Sequence, residues 1–191
     1  MALESLKEAA GLVAGFTTAA NAALVEGIAE RLADAFRAGK KVLICGNGGS
    51  LADAVHFAEE LTGRYRADRR ALPAIAIAEP GHLTCVANDY GFERVFSRGV
   101  EALGSEGDVL IVLSTSGNSA NVRLAVEAAK ARGMTTVGLL GKGGGVMKGL
   151  CDTEIVAPGA TADRIQELHM LVLHVLVERV EVLLGLAQGK R

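Results

Sequence analysis

His56 and Glu60 stand four residues apart, so on a helix they project from one face. An imidazole and a carboxylate at that spacing suit two ligands on one metal ion, as in helix-borne zinc sites. Taken alone, the pair equally fits the polar face of an amphipathic helix. Further along, Gln166, His169 and His174 interrupt an apolar stretch. His169 reads as a buried histidine satisfied by one hydrogen bond. Gln166 and His174 lie two helical turns apart, about 12 Å of rise. One ion collects both only if their side chains lean together or if one belongs to a neighbouring subunit.

Two loops carry the remaining candidate chemistry. The apolar run Val42, Leu43, Ile44 and Cys45 breaks at Gly46, Asn47, Gly48 and Gly49, where glycine allows a sharp turn. Ser50 then reads as a helix N-cap, with Asp53 at capping-box-like spacing. The free N–H groups at that helix start face the turn and offer an anion or hydroxyl site. The second loop is Ser114-Thr115-Ser116-Gly117-Asn118-Ser119. Its hydroxyls and backbone N–H groups converge on one small volume before a helix start. That suits a phosphate monoester dianion held without lysine, by the helix N-terminal field. The plainer reading is a polar loop in which Ser119 only caps the next helix.

Other motifs are excluded by spacing. A dinucleotide fingerprint starting at Gly46 needs its third glycine where Leu51 sits. A Walker pattern fails because Gly141-Lys142 is followed by Gly143. Residues 141–145 therefore read as a flexible glycine turn. Cys45 reads as small core packing rather than as a nucleophile.

The elements that must position these groups follow from periodicity. Residues 5–38 are alanine-rich and apolar at helical spacing (Leu12, Phe16, Ala20, Leu24, Ile28, Leu32, Phe36), one helix or two joined near residues 15–18. After the central strand, turn and helix comes AIAIA at residues 74–78, then residues 82–88, then a charged helix candidate over 92–103. Strands are expected at 108–113, 135–140 and 153–156, with a helix over 120–132 stopped by Gly133. A last helix runs from residue 162 toward residue 186. Strand and helix alternate, which predicts a parallel sheet flanked by helices in one domain over residues 1–191. In such sheets the loops after strand C-termini form the ligand crevice, and those loops are the two described above.

Half of the residues are hydrophobic, so the sheet is expected to be covered on both faces, with further surface buried between subunits. The first and last helices are too apolar for ordinary solvent-facing covers and read as a subunit-packing layer. A net charge of −2 gives no electrostatic case for nucleic acid or a membrane surface. No run of about 18 uncharged apolar residues is present to span a bilayer. Three cysteines far apart fit neither a disulfide framework nor a zinc finger, which points to a reducing cytoplasm.

Taken together, CGNGGSLADAVHFAEELTGRYR, VANDYGF, STSGNSANV and ADRIQELHMLVLHVL resemble the phosphoheptose isomerases of the sugar-isomerase (SIS) family, in the same order over nearly the whole chain. The resemblance implies a three-layer flavodoxin-like parallel sheet with long terminal helices at oligomer contacts, assembled as a homotetramer. It implies conversion of sedoheptulose 7-phosphate to D-glycero-D-manno-heptose 7-phosphate through an enediol, the first step toward the ADP-heptose of lipopolysaccharide. Asn47, Gly48, Gly49, Ser50, Glu60, Asn88, Asp89, Ser114, Thr115, Ser116, Ser119 and Gln166 are expected to hold the substrate. One zinc ion per site is expected on His56, Glu60, Gln166 and His174, with Glu60 and His174 also as base and acid. A relative in the same family binds the bacterial replication initiator without catalysis, and its last helix lacks the histidine that His174 supplies here. A sugar-phosphate-sensing domain is the third reading.

Overall fold

A computed structural model describes residues 1–187. Five strands, β1 (Val42–Gly46), β2 (Ala74–Ala76), β3 (Val109–Ser114), β4 (Thr135–Gly141) and β5 (Thr153–Ala157), form one sheet in the order β2-β1-β3-β4-β5. Every neighbouring pair is parallel. Around it lie α1 (Ala2–Phe16), α2 (Ala19–Arg37), α3 (Gly49–Thr62), α4 (Pro80–Tyr90), α5 (Val95–Leu103), α6 (Ala120–Ala131) and α7 (Ala162–Leu183).

Alternate strand residues feed two cores. Val42, Ile44, Ile111, Leu113, Val137 and Leu139 pack with Ile28, Leu32, Phe57, Leu61, Leu173 and Val177 from α2, α3 and α7. Leu43, Cys45, Leu110, Val112 and Leu140 pack with Val86, Phe96, Val100, Val122 and Val126 from α4, α5 and α6. Burial on both faces is why the central strands read as unbroken apolar runs instead of alternating ones. The architecture is the expected three-layer α/β fold.

The N-terminal helical segment is two helices. The chain bends by 75° between α1 and α2. Thr18 accepts a hydrogen bond from the Asn21 backbone N–H at 3.2 Å, and the Asn21 amide donates to the Phe16 carbonyl at 2.7 Å. Those bonds satisfy groups that the break leaves without helical partners. The charged segment after residue 91 begins with a 3-10 turn, Phe92–Arg94, and only then enters α5. Among the described residues, no single helix is long and apolar enough to cross a membrane.

The sheet order reverses between β1 and β3, and pairing of Gly46 with Leu113 brings the two glycine- and serine-bearing loops side by side. A crevice at such a reversal is where ligands bind in open α/β sheets.

Candidate active site

The first loop starts α3 earlier than its serine suggests. Gly48, at φ +56°, occupies the N-cap position and the helix begins at Gly49, so Ser50 lies inside the first turn. A positive φ is cheap for glycine, and the turn supplies its own caps: Ser50 N–H donates to Asn47 O, and Leu51 N–H to Gly48 O. No side chain caps α3, so Asp53 closes no capping box. Its Oδ2 is buried without a partner, and burial holds its carboxyl above the usual range despite the nearby His56.

Ser50 is buried, and its Oγ lies 3.5 Å from Gln166 Nε2 on α7. A Cβ on Gly49 would stand 2.6 Å from Gln166 Nε2. The glycine turn and Gln166 are thus in close contact.

In the second loop the hydroxyls face one another. Ser114 Oγ is 3.1 Å from Ser119 Oγ and accepts from the Gly117 N–H at 3.1 Å, while Ser116 Oγ accepts from Asn118 N–H at 3.1 Å. Ser119 occupies the N-cap position of α6 but makes no side-chain cap bond, so its hydroxyl is not spent on the helix. Gly117 has φ +64° and a Cβ there would meet Gly144 O at 2.0 Å. Residues 142–147 form a 3-10 segment with left-handed glycines at 143, 144 and 145, braced by Met147 N–H to Gly117 O and Val146 N–H to Asn118 Oδ1. The glycine turn therefore buttresses the serine loop.

Asn121, inside the STSGNSANV stretch but given no role from sequence, joins the two loops. Its amide and that of Asn47 bond reciprocally, Asn47 Nδ2 to Asn121 Oδ1 at 2.9 Å and Asn121 Nδ2 to Asn47 Oδ1 at 2.8 Å. Asn121 Oδ1 also accepts from Val122 N–H at 2.9 Å. Asn47, Ser119 and Asn121 share with Phe92 and Glu93 a cleft of about 340 Å³. Asn88 and Asp89 lie exposed on the last turn of α4, bonded to each other at 2.7 Å.

Further down α3, His56 Nε2 lies 3.4 Å from Glu60 Oε1, and His174 Nε2 from α7 lies 3.5 Å from the same oxygen. The His56 and His174 rings meet edge to face at 5.3 Å, and Tyr65 stacks on His174 at 6.0 Å. Ligand atoms of all three residues fall within 4.8 Å of one another. Glu60 is 7% exposed and its Oε2 is buried with no partner. A buried carboxylate oxygen left unsatisfied is costly, and two neutral imidazoles with a carboxylate are the donor set of a divalent transition metal. The trio fits a metal ion. Gln166 contacts Gly49 and Ser50, near the opposite end of α3 from Glu60.

His169 Nε2 meets Leu140 O at 3.2 Å, the single bond expected of it, and its Nδ1 is buried without a partner. Cys45 is fully buried, and burial raises its thiol pKa, which keeps it protonated in the core.

Known proteins resemble this chain in sequence and in fold. The SIS domain family matches residues 6–141. The phosphoheptose isomerase of Fusobacterium nucleatum is 65% identical over 156 residues, covering 82% of this chain and 80% of the relative. That of Pectobacterium atrosepticum is 55% identical over 178 residues, covering 92% of each. The chain belongs to the phosphoheptose isomerase family. It is an enzyme, an isomerase of the SIS class. The solved phosphoheptose isomerase of Neisseria gonorrhoeae superposes at TM-score 0.87 with 38% identity, over 95% of this chain and 97% of that one. The Francisella tularensis structure gives 0.88 with 33% identity, over 95% and 99%.

Proposed function

We propose that this isomerase converts sedoheptulose 7-phosphate to D-glycero-D-manno-heptose 7-phosphate. The observation that carries the reading is the meeting of His56, Glu60 and His174 within 4.8 Å, on the two helices that also bear the glycine turn and Gln166. The hydroxyls of Ser114, Thr115, Ser116 and Ser119, with the first N–H groups of α6, take the phosphate. Asn47, Gly48, Gly49, Ser50, Asn88, Asp89 and Gln166 take the sugar's hydroxyls.

Moving the carbonyl from C2 to C1 removes a proton from C1, passes through a cis-enediol, and returns a proton to C2. The C2 oxygen gains a proton while the C1 hydroxyl loses one. Glu60 carries the carbon-bound proton from C1 to C2. His174 moves protons at the two oxygens. Each such role contributes about 10²–10⁴-fold. His56, Glu60 and His174 would hold one zinc ion, which when bound polarises the substrate carbonyl, and a Gln166 ligand to that ion would come from a neighbouring subunit, because this chain's Gln166 sits at the glycine turn.

The wider reading is a homotetramer in the cytoplasm whose product leads to the ADP-heptose of lipopolysaccharide. Exposed Leu3, Leu6, Leu24, Leu171 and Val175 on α1, α2 and α7 support assembly through these helices. The test is turnover of sedoheptulose 7-phosphate by purified protein with and without zinc. Glu60→Gln should lower kcat at least about 10²-fold while substrate still binds. A wild-type protein that leaves the ketose phosphate unchanged refutes the proposal.

A further inference from the structure

The loop that follows α3 returns along α7, and its contacts climb that helix turn by turn. Tyr65 lies on His174, Arg66 reaches Glu178 at 3.1 Å, and Arg69 reaches Glu181 at 2.8 Å. His174, Glu178 and Glu181 are spaced four and then three residues apart, so they share one face of α7. The Arg66 guanidinium lies 4.7 Å over the Tyr65 ring.

Arg69 is the buried member, its side chain 2% exposed and that of Glu181 7%. Each of its three guanidinium nitrogens donates. Nε donates to Glu181 Oε1, and Nη2 donates to the carbonyl of Glu60 at 2.5 Å. Nη1 donates to the carbonyls of Leu61 at 2.8 Å, Gly63 at 3.1 Å and Arg70 at 3.2 Å. These include carbonyls that the end of α3 leaves without helical donors, at the pole where a cation is favoured. One planar group thus grips the peptide of Glu60 and, through Glu181, the helix that carries His174.

We propose that Arg69 and Glu181 are positioning residues that set the separation between Glu60 and His174, and with it the geometry of the metal-binding trio. A buried ion pair contributes little stability over an apolar pair of the same size, so its presence here calls for a role in register. The trio tolerates little slippage, because ligand distances to zinc are about 2.0–2.2 Å and a misplacement of about 1 Å is costly. Lysine would keep the charge of Arg69 but not the fork that reaches Glu60 and Glu181 together. The inference rests on the reading of His56, Glu60 and His174 as metal ligands.

The experiment compares wild type with Arg69→Lys, Arg69→Met and Glu181→Gln, measuring zinc affinity by chelator competition, melting of the metal-free protein, kcat and KM. Zinc affinity should fall about 10–100-fold in each variant that folds, as for outer-shell partners of metal ligands. kcat should fall with it, KM should stay within about twofold, and lysine should not rescue. Arg179→Met removes a half-exposed ion pair from α7 to Glu26 of α2 and should leave zinc affinity unchanged. If Arg69→Met does not fold, Arg69→Lys and Glu181→Gln decide the matter. Folded variants that melt lower but keep wild-type zinc affinity and kcat overturn the proposal. A wild type without zinc affinity instead removes the metal reading, and this proposal with it.

Discussion

Acid should weaken this fold through His169. Its Nε2 donates to the Leu140 carbonyl, so the bare Nδ1 faces the core with no partner, and the residue is 0% exposed. Burial therefore lowers its pKa from 6.5 to about 4. In the unfolded chain the imidazole takes up a proton near pH 6.5, whereas the folded protein refuses it until about pH 4. Between those values the unfolded state binds more protons, so stability falls as pH falls, and levels off below the folded pKa. At about 1.4 kcal/mol per unit the loss is about 3 kcal/mol across the window. His169→Gln keeps an N–H for Leu140 but cannot titrate. Urea unfolding of wild type and variant, with chelator present and protein concentration fixed, should give curves that diverge by about 3 kcal/mol between pH 6.5 and 4. Parallel curves would refute the argument.

Gly117→Ala forces a left-handed alanine whose Cβ meets a backbone carbonyl at 2.0 Å. It should destabilise by about 3 kcal/mol, read as a lower urea midpoint, with weakened inorganic phosphate binding. Asn121→Ala leaves both polar atoms of the Asn47 amide and the Val122 N–H without their partner, at about 1–3 kcal/mol. KM for the sugar phosphate should rise about tenfold, on the order of 1.4 kcal/mol of lost positioning, while zinc affinity holds. Unchanged KM would show that the amide pair does not position the cradle.

The sheet was legible because buried parallel strands declare themselves as runs such as Val109 through Leu113, and because glycines punctuate the turns. The start of α3 was misread because sequence rules look for a capping side chain, and here Gly48 caps with backbone alone. Asn121 stands in the STSGNSANV stretch without its role being readable there, and Arg69 and Glu181 left no local signal. Their meaning lies in partners 74 and 112 residues away, which no window of periodicity spans. His56 and Glu60 are readable as neighbours from their spacing alone, but the arrival of His174 beside them depends on how α7 packs across α3. Two turns of helix separate Gln166 from His174, and the fold spends that length by placing the amide at the glycine turn and the imidazole at Glu60.

A ribosome releases α7 last among these elements. When residues up to 141 have emerged, both loops, His56 and Glu60 already exist, yet the flank of the sheet awaiting Leu173, Leu176 and Val177 is bare. The nascent polypeptide is therefore chemically mute and sticky at once. Docking of the final helix brings His174 to Glu60 and covers that flank in one event.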